Sequence, residues 1–501
     1  MSNELLTLAE MGAADRFAVA HGISSADLME NAGRAVANAI AARWPPRRTI
    51  VLCGPGNNGG DGYVAARLMA ADGWHVVTAQ LASEAELRGD AADKAKAWAG
   101  ARKPFDAHVL EGEELVVDAL FGAGLSRPLE GAAAKCVEQL NAIDIPVVAI
   151  DVPSGIHGDL ARALGSAAVQ ADLTVTFFRK KLAHVLLPAR LACGEIVVAD
   201  IGIPRSALEP MAIRTFENGP ELWRLPVPAS DGHKYKRGHA VVVSGPAHAT
   251  GAARLAARGA IRAGAGLVSV ASPHEAVAIN AAALTAIMVK PFAGAFGLAD
   301  LLKDRRFNAL VLGPGVGVGP LTRDLVAASL DAHSAIVLDA DALTSFADEP
   351  QALFALLREP AVLTPHEGEF ERIFPGLLAR SKNRVEAVSA AAAAAHCTVL
   401  LKGPDTVVAA PDGRSVVNIH ASPWLATAGA GDVLAGIIGG LLAQGLNAFD
   451  AAAAGAWLHG DAALRFGPGL ISEDLPELLP AVLASLEQQP SAAPLVTPRD
   501  A

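Results

Sequence analysis

Short runs of Val, Ile and Leu recur along the chain, and most of them stop at a glycine or an acid before a longer Ala-rich stretch begins. Runs of that length, bounded by turn residues, predict buried strands at Thr49–Cys53, His75–Leu81, Leu115–Asp118, Pro146–Asp151 and Leu173–Phe178. Helical stretches such as YVAARLMAADG lie between them, and LAEMGAADRFA near the start reads as a helix. The same alternation restarts at HAVVVSG and continues through GLVSVASP, ALVLGPGVG, AIVLDADAL, AVLTPHEGE and TVLLKGPDTVVAA. It predicts an α/β protein built from parallel sheets with helices on both faces. The alanine runs 390–395 and 451–454 read as buried helices, since alanine is the best helix former and suits close packing. Residues 214–238 hold three prolines, several charges and no sustained apolar period, which predicts a linker between two halves. The expected domains are 1–218 and 225–501.

Composition narrows the class. Hydrophobic residues make up 52% of the 501 and charged residues 19%, which excludes intrinsic disorder. The mean hydropathy of +0.33 raises a membrane question. The longest uncharged runs, Ser415–Gly431 and Val433–Phe449, have 17 residues each and are interrupted by Gly, Asn, Gln or Pro. A bilayer span needs about 20 apolar residues, so no membrane association is expected. Buried parallel strands, covered on both faces, account for the excess instead. The net charge of −11 disfavours nucleic acid as a partner. Four scattered cysteines and an acidic, helical start suggest a reduced, cytoplasmic protein.

In the first half, TIVLC runs into Gly54-Pro-Gly-Asn-Asn-Gly-Gly-Asp-Gly62 and then a helix. Glycines let the backbone approach a ligand, and a helix start offers free N–H groups to an anion. Gly54, Gly56 and Gly59 satisfy the Rossmann GxGxxG, but Gln80 stands where a dinucleotide fold places its ribose-binding acid. Asp118 in DALFGAG, and Asp151 and Ser154 in DVPSG, also fall at strand ends. A single strand-end Asp is usually a turn former or helix cap; three such loops at one sheet edge predict a pocket.

These motifs together with LMENAG at 28–33 resemble the NAD(P)H-hydrate epimerases over residues 1–215. The resemblance implies a Rossmann-like three-layer αβα domain that interconverts the epimers of the C6-hydroxyl in hydrated NADH and NADPH. It implies substrate contacts from Asn57, Asn58, Gly59, Gly60, Asp61 and Asp151, and from the loop Gly122, Ala123, Gly124, Leu125, Ser126, Arg127, Pro128. Asn58, Asp118 and Ser154 would ligate potassium, and Asp151 with Lys181 would be the acid–base pair. The doubled Lys180–Lys181 leaves the choice of lysine open, and Ala183 stands where family members often carry glycine.

Downstream, Thr427-Ala-Gly-Ala-Gly-Asp432 opens a helix without the GK[ST] of a Walker loop. Its small residues expose N–H groups to developing phosphoryl charge, and a carboxylate just inside can take a proton from a hydroxyl. With HKYKRGHAVVVSG, LGPGVG, DADAL, TPHEGEF and LKGPDT in order, residues 230–480 resemble the ADP-dependent NAD(P)H-hydrate dehydratases, of the ribokinase-like αβα superfamily. The resemblance implies that Ala252, Gly315, Gly317, His366 and Asp432 touch the hydrate, with Asp432 as catalytic base. Lys402, Gly403, Pro404, Asp405, Thr406 and Gly431 would bind the adenine nucleotide, and Glu369 would position magnesium through water. HEGE replaces the common HPGE, and AGAGD the common GGTGD. The implied protein repairs hydrated NADH and NADPH, using K+, Mg2+ and ADP, as a homo-oligomer. Two alternatives are a small-molecule kinase fused to a nucleotide-binding domain that performs no chemistry, and a first half acting only as a recognition module. Intact DALFGAG, DVPSGI and LKGPDT disfavour the first, and the presence of Asn58, Asp118 and Asp151 together argues against the second.

Overall fold

The computed structural model describes residues 3–228, 230–332 and 334–487. The chain divides into two compact units, Met1–Thr215 and Phe216–Ala501. Residues 1–2 and 488–501 of the expected domains lie outside the described residues.

The first unit opens with helices α1 (Leu8–Ala20) and α2 (Ser25–Ala41). A capping box starts α1: Glu10 N–H donates to the Thr7 hydroxyl at 3.2 Å, and Thr7 N–H donates to the Glu10 carboxylate at 2.8 Å. The strands are β1 (Arg48–Cys53), β2 (His75–Gln80), β3 (Ala101–Lys103), β4 (Leu115–Ala119), β5 (Val147–Ile150), β8 (Leu173–Phe177) and β9 (Glu195–Ala199). A short antiparallel ribbon, β6 (Ile156–His157) and β7 (Arg162–Ala163), stands apart from them. The seven form one sheet in the order β3-β2-β1-β4-β5-β8-β9, parallel throughout. Central β4, β5 and β8 are wholly buried, whereas β3 and β9 at the edges are not. Order reverses between β1 and β4, so the crevice beyond their carboxyl ends is where this topology places a ligand. Helices α3 (Asn57–Ala71) and α4 (Gly89–Ala97) follow β1 and β2. Gly33 in α2 explains the LMENAG motif: a Cβ there would lie 2.4 Å from Val64 Cβ and 2.7 Å from the Asp61 carbonyl oxygen of α3.

The second unit carries β10 (Thr215–Glu217), β11 (His239–Val243), β12 (Leu267–Pro273), β13 (Met288–Phe292), β14 (Ala309–Leu312), β15 (Ala335–Leu338), β16 (Ala361–Leu363), β17 (Thr398–Leu401), β18 (Thr406–Ala409) and β19 (Ser415–Asn418). Their order is β10-β19-β18-β17-β16-β15-β14-β11-β12-β13. From β13 to β17 every pairing is parallel, but β17–β18 and β18–β19 are antiparallel, a departure from the expected parallel sheet. The reason is local. A turn over residues 402–405 separates β17 from β18, closed by a hydrogen bond from Thr406 Oγ1 to the Gly403 carbonyl at 2.8 Å, and a parallel return needs a much longer crossover. Order reverses again between β11 and β14.

The glycine-rich helix Ala430–Ala443 packs on the helix Gly251–Arg262 so closely that a Cβ on Gly436 would sit 2.0 Å from the Ala256 carbonyl oxygen. Ala451–Ala454 are all buried, as expected; Ala390, Ala393 and Ala394 are exposed, so the other alanine run only half belongs to the core. The stretch 214–238 is not a linker throughout. Asn218 N–H donates to the Val417 carbonyl at 2.9 Å, and its side-chain amide donates to the Ala453 carbonyl at 2.7 Å. Trp223, 5% exposed, donates its indole N–H to Asn218 Oδ1 at 3.1 Å. Two polar anchors and one aromatic thus fix residues that carry no apolar period. Among the described residues, no helix is long and apolar enough to cross a membrane.

Candidate active sites

The crevice of the first unit is a cavity of about 680 Å³. The start of α3 contributes Asn57, Asn58 and Asp61, the loop after β4 contributes Gly122 to Arg127, and α1 contributes Asp15. Asp151 and Lys181 also line it. Gly59, Gly60 and Pro128 do not. Gly59 packs on the Gly54 carbonyl and Gly60 lies under the Met29 side chain. Their small size serves the turn and the helix crossing.

Asp151 follows β5 with φ +67°, a left-handed conformation that costs a non-glycine residue energy and concentrates at functional positions. Its carboxylate is held on three sides. Lys181 Nζ donates to Oδ1 at 2.7 Å, the Thr176 hydroxyl to Oδ1 at 3.1 Å, and Ala123 N–H to Oδ2 at 3.0 Å. Burial disfavours the charge, but the Lys181 ammonium outweighs it and holds the Asp151 carboxyl down at about 2. Lys181 is 2% exposed and donates also to Thr176 Oγ1 at 2.8 Å and to the Phe177 carbonyl at 3.4 Å. It is Lys181, not Lys180, whose ammonium meets Asp151. His184 steadies the corner: its Nδ1 accepts from the Lys181 N–H at 2.8 Å, so Nε2 carries the proton and donates to the Asp151 carbonyl at 2.8 Å. Burial, reinforced by the Lys181 charge, drops this imidazole to about 4 and keeps it neutral.

Asp118 and Ser154 lie beside the cavity, wholly buried. The Ser154 hydroxyl donates to Asp118 Oδ1 at 2.6 Å, and the Ser154 and Leu120 N–H groups donate to the same carboxylate at 2.8 and 3.2 Å. Burial nevertheless raises Asp118 to about 6, with no cationic side chain beside it among the described residues. Asn58 Nδ2 is buried without a hydrogen-bond partner.

In the second unit the corresponding edge collects charge. Asp339 follows β15, Lys402 follows β17, and Glu369 sits in the helix Glu367–Ile373 after β16. Lys402 Nζ donates to Asp339 Oδ1 at 2.7 Å and lies 3.8 Å from Glu369 Oε2. Burial opposes the ammonium, but Asp339 and Glu369 outweigh it and push the Lys402 pKa up. A Cβ on Gly431 would lie 3.4 Å from Lys402 Nζ, so the ammonium sits against the start of the helix Ala430–Ala443. Asp432, in its first turn, is raised to about 6 by burial and the Asp339 charge, against the pull of Lys402. Ammonium, helix N-terminus and carboxylate converge on one point, suited to an anionic group beside a hydroxyl.

Ala252 and Gly315 are neighbours: a Cβ on Gly315 would lie 3.4 Å from Ala252 Cβ. Gly317 N–H donates to Asp341 Oδ2 at 2.9 Å. His366 caps the helix Glu367–Ile373; its Nδ1 accepts from Gly368 N–H at 2.9 Å, and its own N–H donates to Glu369 Oε2 at 2.8 Å. Asp405 is buried against Arg384 at 3.7 Å, while Gly403 and Thr406 close the turn around Pro404. Sequence reasoning missed Asp15, Asp339, Asp341 and Thr176 as site members. The strand-end rule that found Asp118 would also have found Asp339, which opens DADAL.

Residues 25–183 match the family model described as YjeF-related protein N-terminus, and residues 240–478 match the one described as NAD(P)H-hydrate dehydratase. Relatives described as bifunctional NAD(P)H-hydrate repair enzyme Nnr include one from Moorella thermoacetica, 38% identical with 97% of each chain covered. Another, from Salinibacter ruber, is 36% identical with 96% of each covered. A solved Bacillus subtilis structure, ADP/ATP-dependent NAD(P)H-hydrate dehydratase co-crystallised with ATP and Mg2+, aligns with TM-score 0.46 and 27% identity over 52% of this chain and 94% of that one.

Proposed function

We propose the chemistry below from one premise: the chain belongs to the family of bifunctional NAD(P)H-hydrate repair enzymes, an epimerase unit followed by a dehydratase unit. The reading rests on a match to those relatives that runs through both units. In the first, the hydrate's ring lies in the cavity between the start of α3 and the loop Gly122–Pro128, with its C6 toward Asp151. Lys181 keeps Asp151 ionised, and His184 holds the strained corner in place. In the second, Asp432 takes the proton of the S hydrate's hydroxyl as it attacks the terminal phosphate of ADP. Lys402 and the N–H groups at Gly431 stabilise the transferring charge. The phosphorylated hydroxyl then departs as phosphate, a far better leaving group than hydroxide, and NAD(P)H and AMP remain. A mixture of R and S NADPH-hydrate, incubated with the protein, ADP, K+ and Mg2+, is expected to return all its NADPH absorbance. A stop at half would remove the epimerase, and no recovery with ADP or ATP would remove the whole reading.

The residues present fit a potassium ion. Asp118 and Ser154 offer hard oxygens, Asp118 is a buried carboxylate with no cationic neighbour among the described residues, and the Asn58 amide, whose Nδ2 has no partner there, can turn its oxygen inward. Bound there, the ion would neutralise Asp118 and fix the Gly122 loop. Exchanging KCl for tetramethylammonium chloride at equal ionic strength should lower the melting temperature of the first unit by several degrees, since a ligand at 100 times its Kd contributes about 2.7 kcal/mol. Asp118→Asn should melt alike in both salts; equal melting of the unaltered protein would argue against the ion. Magnesium fits less well. Glu369 is engaged in capping, the cation among these carboxylates is the Lys402 ammonium, and no cluster of three or more His, Cys, Asp or Glu suited to a metal occurs among the described residues.

A further inference from the structure

Lys181 cannot readily act as the acid of the epimerisation. An ammonium has three N–H donors, and all three are engaged, to Asp151 Oδ1, Thr176 Oγ1 and the Phe177 carbonyl, on a side chain 2% exposed. The cavity offers another group. Asp61 lines the same cavity, is only 8% exposed, and has no hydrogen-bond or ion-pair partner among the described residues. Asp15, on α1, lines the cavity too and is likewise without a partner. A nine-tenths buried carboxyl without a counter-charge has to be either protonated or paired with what the cavity binds. From these positions we infer that Asp61, backed by Asp15, is the proton donor of the epimerase, and that Lys181 serves only to position and ionise Asp151. The inference rests on the epimerase reading above.

The electrostatics agree with it. Burial comes first in raising Asp61 well above the carboxylate range, and the negative charges of Asp151 and Asp15 add to it. Lys94, which opposes this, is itself paired with Glu30 of α2 at 3.0 Å. Asp90 of α4 adds a further carboxylate to the lining. Asp15 is raised by burial and by Asp151, against Lys181 and Arg16. Two carboxyls with affinities pushed up and one pushed down, around one cavity, divide naturally into donor and acceptor.

C6 of the hydrate bears both the hydroxyl and the ring nitrogen N1. Asp61 gives its proton to the hydroxyl oxygen; the C6–O bond breaks with its electron pair leaving as water, and the N1 lone pair closes a C6=N1 iminium. Water adds to the other face, and the oxonium so formed, being strongly acidic, passes its extra proton to the Asp151 carboxylate. The net transfer is one proton from Asp61 to Asp151, reset through solvent.

The test supplies pure R hydrate to the full-length protein with ADP, so that recovery depends on epimerisation, and S hydrate as the control on folding and on the second unit. Asp61→Asn should lower R recovery at least 100-fold with S recovery unchanged. Asp15→Asn should lose activity at lower pH than the unaltered protein as pH rises, because Asp61 then ionises more easily. A purely structural role for Asp15 would scale the rate equally at every pH. The inference is overturned if Asp61→Asn keeps more than a tenth of the R rate, or if Asp15→Asn leaves the pH profile in place. Should the unaltered protein itself fail to recover R hydrate, the epimerase reading falls instead.

Discussion

Asp432→Asn is expected to abolish return of NAD(P)H from either hydrate while leaving the fold intact or slightly more heat-stable. The carboxylate stands in the first turn of the helix Ala430–Ala443, where burial and Asp339 raise its affinity for a proton to about 6. A base is most effective when its pKa lies just below the working pH, and removing a well-placed one costs 10²–10⁴ in rate. Asparagine keeps the shape and the hydrogen-bonding reach but cannot accept the proton. The sign of the stability effect follows from the raised value. Asp432 favours the folded state below its unfolded pKa and opposes it once pH passes about 6, so the uncharged amide relieves a cost at neutral pH. The unaltered rate should climb as pH rises through about 6. An Asn variant with more than a tenth of the activity, or one that melts much earlier, would contradict the assignment of Asp432 as base.

Asp151→Asn should fail in a different way. R hydrate is no longer salvaged, S hydrate still is, and the first unit loses stability. The loss follows from Lys181, 2% exposed, whose ammonium would remain buried without its counter-charge, a situation that costs about 3–5 kcal/mol. The Asp151 carboxyl is held at about 2, below its ordinary 3.8, so its contribution is complete above 3.8 and disappears as pH falls through 2. That window is worth about 2 kcal/mol. Two melting transitions, one per unit, are the measurement: one should move in Asp151→Asn and the other stay. A variant with unshifted melting and full R salvage would remove Asp151 from the site.

Much of this arrangement was legible in the chain because buried parallel strands write continuous apolar runs, as at Leu115–Ala119 and Ala309–Leu312. What escaped notice had little pattern to offer. Strand β3, Ala-Arg-Lys, is an exposed edge, and β10 lies in the Pro- and charge-rich stretch and is held beside β19 by Asn218. The antiparallel turn at 402–405 depends on loop length rather than on the strands it joins. Asp118 and Asp151 could be found because they end strands of a sheet whose topology dictates where ligands go. Asp15 could not: it is an acid on a helix, indistinguishable from a solvated one until α1 is seen to border the cavity.

Asn218 and Trp223 also bear on how the two activities can be taken apart. Residues 230–237 form an unbroken exposed run where a protease could cut, beyond residues that already belong to the second core. Cleavage there would carry Trp223 away with the epimerase fragment and leave its slot in the dehydratase core empty. Single-activity proteins should therefore be cut ahead of β10, at Arg214–Thr215, next to the boundary between the units.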